Sequence, residues 1–371
     1  MRMSLGNGLL ASDGAVHRAQ RKLIAPAFQP RHLPAYVDTM TTYTTEMIDT
    51  WQHGATIDAE HEFWQLTLRI IAQTLFDVDV QHDAAPLRHA LTTVAQVSNA
   101  LLTSPLQLYL PLALSPAAQR IRGAVQRLDH TVHGMIAERR ATPDDRTDLL
   151  SVLLHARDEE TASGMTDAQL RDEVMTLFLA GHETTAIALL WTLILLAQHG
   201  DVAQRLQHDV DTVLGGRLPT MDDLAALPYV RQVCQEALRL YPPIYVIARW
   251  TERPVDLGAV RLPKHTMVVV SPYTLHRRAD YFPDPERFDP DRFTPEASAA
   301  RPRYAYVPFG AGPRQCIGNH FAMMELQLIL TTVMQRVTLR LAPGQHVAPD
   351  PQITLRPTAG VKMIVEHRKR S

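Results

Sequence analysis

Cysteine is nearly absent from this chain: only Cys234 and Cys316 occur in 371 residues. Two cysteines give no disulfide framework and suit a reducing compartment, so a cytoplasmic location is expected. They are also too few for an iron–sulfur cluster, which takes four ligands. An excess of either charge is missing as well. Lys+Arg number 37 against Asp+Glu 39, a formal net charge of -2. That balance gives no reason to expect nucleic acid as a partner. The apolar stretch within Met1 to Gly8 is far too short for a signal peptide or a membrane anchor. There is no internal repeat and no low-complexity linker. What is present is 46% hydrophobic and 20% charged sequence, enough to build a large core.

One segment meets the length test for a membrane span. Val174 to Ala197 is mostly apolar and long enough to cross a bilayer. His182 and Glu183 fall near its middle, where ionisable groups are costly in lipid. The segment reads instead as a buried central helix. Thr166 and Gln169 make a capping box at its start, and Gly200 is a stop signal. A helix over 166–199 would be roughly 50 Å long. Its middle reads Ala180-Gly181-His182-Glu183-Thr184-Thr185. A glycine there costs about 1 kcal/mol relative to alanine, so Ala180 and Gly181 leave room for something close to the backbone. Glu183, an acid in an apolar helix, must be paired, hydrated or protonated. His182-Glu183 opens like the zinc motif His-Glu-x-x-His, but the fifth position is Ala186 and the motif fails.

Cys316 has the most telling surroundings. It lies in Phe309-Gly310-Ala311-Gly312-Pro313-Arg314-Gln315-Cys316-Ile317-Gly318, a turn that no regular element can hold. An apolar helical segment follows from about Ile317 to Val337. A thiolate that ligates a metal permanently needs amides aimed at the sulfur, positive potential and dry surroundings. The glycines permit unusual turns. The helix start supplies unpaired amides and the positive end of a dipole, which lower a cysteine pKa. Cys234 sits in an amphipathic helical pattern and reads as a small buried residue.

The Phe-x-x-Gly-x-Arg-x-Cys-x-Gly pattern closely resembles the heme-binding loop of the cytochrome P450 (heme-thiolate monooxygenase) family. The resemblance makes Cys316 the axial thiolate of heme iron, the ligation that favours O–O cleavage. Arg314 would pair with a heme propionate, and Phe309 would pack beside the sulfur. Ala180 to Thr184 matches the family's oxygen-activation motif. By resemblance Thr184 hydrogen-bonds the bound dioxygen and Glu183 helps relay protons. Glu236-Ala237-Leu238-Arg239 and the proline-rich run Phe282 to Phe293 follow in the family's order. The prolines exclude helix and central strand, so an ordered meander pinned by Phe288 and Phe293 is expected. The resemblance makes Glu236, Arg239 and Arg287 a buried triad that locks it. Near the start, His17 and Arg21 share one helical face, ahead of Pro26-Ala27-Phe28. With Arg249 they are candidate propionate partners. Arg18 and Lys22 read as solvated, and His276 as structural. Ile244, Tyr245, Val246 and Ile247, with Ala180 and Gly181, are expected to line an apolar substrate pocket.

The expected fold is mainly α with a minor β part, a cytochrome P450-like helical fold with a long central helix, ordered meander and cysteine heme loop, in one domain over 1–371. Residues 15–240 read as helical, with breaks at Pro105, Pro111, Pro116 and Pro143. Strands are expected at Arg249 to Glu252, Ala259 to Leu262, Met267 to Ser271, Ile353 to Arg356 and Gly360 to Glu366. The tail His367 to Arg370 is expected to be solvated and frayed. Leu5 to Leu10 resembles the segment just before the family's propionate-binding helix. The family's usual first helices and pocket roof would precede Met1, so an open pocket is expected. The implied activity is insertion of one atom of O2 into an apolar substrate such as a fatty acid or terpenoid. It would use heme b, O2 and electrons from NAD(P)H delivered by a separate ferredoxin or flavodoxin with its reductase. The rival readings are a peroxide-driven or isomerising heme-thiolate enzyme, which would not need Glu183 and Thr184, and a non-catalytic heme-binding protein.

Overall fold

A computed structural model describes residues 5–78, 89–94, 97, 116–141, 148–157, 164–358 and 360–368. Pro105, Pro111, Pro143, Lys369 and Arg370 lie outside them. The chain is mainly α with small sheets, as expected. It divides into two compact units that interleave in sequence. One holds Met1–Met47, His61–Ala186 and His320–Met324; the other holds Ile48–Glu60, Ile187–Asn319 and Glu325–Ser371.

The first unit is helical. It carries α1 (Gly14–Ile24), most of α2 (Val37–Asp49) and α3 (Ala59–Phe76), then α4 (Pro116–Ala141), α5 (Leu149–His155) and the first part of α6 (Asp167–Gln198). The capping box forms: the Thr166 amide donates to Gln169 Oε1 at 2.9 Å, and the Gln169 amide to Thr166 Oγ1 at 3.2 Å. Phe178 of α6 stacks on Phe76 of α3, with ring centroids 4.4 Å apart. Arg139 of α4 is buried; it pairs with Asp148, the N-cap of α5, and donates to the Phe76 carbonyl at 3.1 Å. Leu5 and Leu9 are buried, because the turn they flank lies against α6. The Asn7 amide donates to Asp172 Oδ2 at 2.7 Å and the Leu9 amide to Glu173 Oε2 at 2.9 Å. A Cβ on Gly8 would sit 2.3 Å from Thr176 Oγ1, so only glycine allows this approach.

The second unit takes the rest of α6, then α7 (Gly200–Leu214), α8 (Asp223–Ala226) and α9 (Pro228–Leu240). Gly200 follows the break at His199 but opens α7 rather than closing α6. An antiparallel sheet has the order β1-β9-β6, from β1 (Thr56–Asp58), β6 (Val337–Leu341) and β9 (Lys362–His367). β1 is a short strand within the nearly all-helical stretch 15–240. A three-residue strand has too little pattern of its own and exists through its register with β9, Thr56 opposite Ile364. After two short helices, α10 (Pro272–Leu275) and α11 (Pro295–Ala300), the last long helix, α12 (Asn319–Arg336), ends before Val337, where β6 begins. β2 (Ile247–Trp250) pairs with β5 (Met267–Val270), and β3 (Val255–Leu257) with β4 (Val260–Leu262). The remaining pair is β7 (Pro349–Pro351) with β8 (Leu355–Pro357).

The tail is not frayed at Arg368, whose guanidinium pairs with Asp211 at 2.5 Å and donates to the Met334 carbonyl at 2.7 Å. The meander is ordered, with Phe282, Phe288 and Phe293 all buried. Contrary to the expectation that its prolines exclude helix, a 3-10 turn spans Pro290–Phe293. Pro290 holds the first position of that turn, where no amide donor is needed.

Candidate active site

The loop that carries Cys316 is held by its own backbone. Gly310 and Gly312 have φ of +69° and +71°, the left-handed region that favours glycine. The Gly310 amide donates to the Val307 carbonyl at 3.0 Å, and the Cys316 amide to the Phe309 carbonyl at 2.9 Å. Gln315 N–H closes a smaller turn on Gly312. α12 starts just beyond, with Gly318 at its N-cap, so no side chain caps its first amides. The positive end of that helix therefore adjoins the thiol loop. Cys316 is exposed, and Phe309 and Arg314 are half-buried. Cys234 is buried in α9, and burial pushes its thiol up to about 12, so it is inert at neutral pH.

Ile247 stands beside this loop: its Cδ1 lies 3.7 Å from where a Cβ on Gly310 would be. Ile244 and Val246 are exposed apolar side chains. Tyr245 has a different environment. Its hydroxyl donates to the Gln352 carbonyl at 2.8 Å, and its carbonyl accepts from Ser271 at 2.9 Å. So the four expected pocket residues do not share one role, and Tyr245 is anchored. Arg249 is exposed and donates to the Ala248 carbonyl at 2.8 Å. Among the described residues no carboxylate pairs with it. An accessible soft thiol, exposed aliphatic side chains and a guanidinium with no carboxylate partner among the described residues form a donor set that fits heme: an iron, an apolar macrocycle and anionic edge groups.

Behind the loop, Arg239 and Glu236 are both fully buried. The Arg239 guanidinium donates to Glu236 Oε2 at 2.6 Å and Oε1 at 2.8 Å. Its other hydrogens go to the carbonyls of His276, Pro285 and Arg287, at 2.9, 2.7 and 3.1 Å. Burial pushes the Glu236 carboxyl above its ordinary value, while Arg239, the Asp289 amide and Arg292 favour its charge. The expected triad needs one correction. Arg287 is exposed and contributes only its carbonyl. The second guanidinium is that of Arg292, 3.5 Å from Glu236 Oε1 and mostly buried. The expectation named Arg287 alone, yet Asp284-Pro285-Glu286-Arg287-Phe288 is closely echoed by Asp289-Pro290-Asp291-Arg292-Phe293. Only the path of the chain separates them.

The remaining expected residues lie in the first unit. Thr184 Oγ1 donates to the Ala180 carbonyl one turn back, at 2.8 Å. Thr184 and Glu183 are half-buried and Ala180 is exposed. The room beside Gly181 is used by the protein itself: a Cβ there would meet Ile71 Cδ1 at 2.8 Å. His182 is buried, bonds the Phe178 carbonyl and meets the Trp64 ring edge-on at 4.7 Å, so it is structural. His17 is buried on the inner face of α1, Arg21 is half-buried, and Arg18 and Lys22 are exposed. Glu173 was not singled out from the sequence. It is fully buried, and burial raises its carboxyl to about 7. An acid followed by Val174 in an apolar run was the available signal.

The sequence profile of the cytochrome P450 family matches residues 1–365. The chain belongs to the cytochrome P450 family. Cyclooctatin synthase of Streptomyces melanosporofaciens is 41% identical over 367 residues, 98% of this chain and 79% of that protein. Cyclooctat-9-en-7-ol 5-monooxygenase of the same species is 39% identical over 346 residues, 92% of this chain and 75% of that protein. Among solved structures, the cytochrome P450DA heme domain superposes with a TM-score of 0.92 at 28% identity, covering 100% of this chain and 82% of that one. This P450 is thus a heme-dependent monooxygenase that uses O2 and an organic substrate.

Proposed function

We propose that this P450 hydroxylates an apolar, unsaturated terpenoid, and that the Cys316 thiolate would hold the iron of heme b. The observation that carries the ligand assignment is the loop: an exposed thiol on a glycine-shaped turn closed by the Cys316 amide, next to an uncapped helix start. Support for the substrate class is the similarity to an enzyme whose name specifies an unsaturated alcohol, together with exposed Ile244 and Val246.

When bound, heme supplies the iron at which O2 is activated, and a cysteine thiolate is the ligand type that favours O–O cleavage. Arg249, Arg314, His17 and Arg21 are the groups we assign to the heme propionates. Ile247, beside Gly310 of the loop, and Phe309 are the side chains we assign to limiting water at the thiolate. Thr184 offers a hydroxyl that can leave its helix carbonyl and donate toward oxygen, and Glu183 is the adjacent proton carrier. The balance is one C–H bond, O2, two electrons and two protons, giving one alcohol and one water. A ferredoxin or flavodoxin with its reductase supplies the electrons from NAD(P)H. A cytoplasmic setting keeps the Cys316 thiol reduced. The family match over 1–365 supports reading 1–371 as one catalytic domain.

The test is spectroscopic. The reduced carbon monoxide complex should show the long-wavelength band of thiolate ligation, and Cys316→His should move it to the position of histidine-ligated heme. An unchanged band in the variant would remove Cys316 as the ligand. A panel of terpenoids and fatty acids, followed by the heme spin-state change, tests the substrate class; a response confined to fatty acids would overturn it.

A further inference from the structure

We propose that His276 is a positioning residue for the thiolate loop: a neutral imidazole that fixes Val307 and thereby the turn presenting Cys316. The inference rests on Cys316 being the heme ligand. His276 is fully buried. The Val307 amide donates to its Nε2 at 2.9 Å. A nitrogen that accepts carries no proton, so the proton is on Nδ1. Nδ1 lies 3.2 Å from the Arg239 carbonyl and donates to it. The main chain returns the link, since the His276 carbonyl accepts from the Arg239 guanidinium at 2.9 Å. Ring and backbone of one residue thus both lock onto Arg239.

The other end of the link reaches the loop. Val307 is held through its amide by His276 and through its carbonyl by the Gly310 amide at 3.0 Å. The Phe309 carbonyl between them accepts the Cys316 amide at 2.9 Å. A continuous set of hydrogen bonds therefore runs from Glu236 through Arg239 and His276 to the ligand turn. Tyr306 confines the imidazole face, with centroids 5.2 Å apart, and its hydroxyl donates to the Gln235 carbonyl at 2.9 Å. Phe282 meets the ring near edge-on at 6.3 Å. Burial, with Arg239, Arg277 and Arg301 nearby, pushes the imidazole down to about 3. The acceptor on Nε2 therefore survives at any physiological pH. No other neutral side chain supplies an acceptor on one side and a donor on the other with the ring's rigidity.

Two substitutions separate positioning from bulk. Asn overlays Nδ1 and can still donate to Arg239, but it leaves the Val307 amide without an acceptor. Gln reaches the Nε2 position and restores one. In heme-free protein, His276→Asn should speed hydrogen exchange at the Val307 and Cys316 amides about tenfold or more. His276→Gln should stay near wild type, and α9 amides should be unchanged in both. In the heme-loaded proteins at equal heme content, the thiolate-type fraction of the carbon monoxide complex should fall in His276→Asn and recover in His276→Gln. In wild type, nitrogen NMR should find the proton on Nδ1. A proton on Nε2, or equal loop exchange and equal spectra in the two variants, would overturn the proposal. The wild-type tautomer and the Gln variant decide it even if the Asn variant fails to fold. Loss of the Cys316 assignment would appear differently, as an unchanged spectrum in Cys316→His with the His276 exchange pattern intact.

Discussion

Replacing Arg239 by alanine removes the group on which the meander and the thiolate loop both depend. Its guanidinium makes two bonds to Glu236 and one each to the carbonyls of His276, Pro285 and Arg287. Both members of the ion pair are fully buried, so solvent screening does not soften the loss. Breaking a buried pair by deleting one partner costs about 3–5 kcal/mol. Each carbonyl left without a donor adds about 1–3 kcal/mol unless water enters the space. Arg292 at 3.5 Å and the Asp289 amide at 2.9 Å remain on Glu236 and moderate the cost. The expected loss is therefore at the top of the pair range, about 5 kcal/mol. That is a large share of the about 5–15 kcal/mol that holds a native protein. The assay is denaturant unfolding of heme-free Arg239→Ala beside Arg287→Ala. The second variant deletes an exposed guanidinium and keeps the carbonyl that Arg239 uses, so its change should stay within about 0.5 kcal/mol. Lowering the pH should narrow the gap between Arg239→Ala and wild type, because the stranded carboxyl can then take up a proton. A loss below about 1 kcal/mol, the worth of a surface pair, would refute the reasoning. So would equal losses in the two variants.

Thr184→Ala should keep heme binding and oxygen consumption while lowering product per NADPH several-fold and raising peroxide. Unchanged coupling would reduce Thr184 to a helix threonine back-bonded to Ala180. Glu173 makes stability fall with rising pH. The unfolded chain loses this proton near 4.5 and the folded chain near 7, so the folded state holds more protons across that window. The loss is about 3 kcal/mol between pH 4.5 and 7, and Glu173→Gln should flatten it in a series of urea melts. Gly8→Ala would drive its Cβ to within 2.5 Å of the Asp172 carbonyl oxygen, which belongs to a helix that cannot retreat. A loss of about 1–3 kcal/mol with faster exchange at the Leu9 amide is expected.

Features set by local chemistry were legible in the sequence. The Thr166–Gln169 capping box placed the start of α6 within one residue. The glycines at 310 and 312 announced a turn that only left-handed backbone can make. What depended on distant partners was not legible. β1 exists because β9 pairs with it, and Arg368 is ordered because Asp211 is there. Gly181 was expected to make room for chemistry, but its bare face accepts Ile71. Arg287 and Arg292 sit in five-residue contexts that differ only at Glu286 and Asp291, so no local rule could choose the buried one. His276 reads as structural from the sequence, yet the amide that donates to it, that of Val307, is 31 residues away and leaves no mark in either segment.

The place of β9 at the centre of its sheet has a consequence for synthesis. Its neighbour β1 is made early, and the Asp58–Lys362 pair that links the two spans 304 residues. At about 5–20 residues per second, roughly 15–60 s pass between the two events on the ribosome. Throughout that interval the segments Thr56–Asp58 and, later, Val337–Leu341 lack their common partner. Unpaired strand edges recruit other chains. A stop codon placed before Lys362 would make that wait permanent for both strands at once. Nascent chains of this enzyme therefore need shielding until β9 has been made, and slow translation between Asp58 and Lys362 should lower soluble yield.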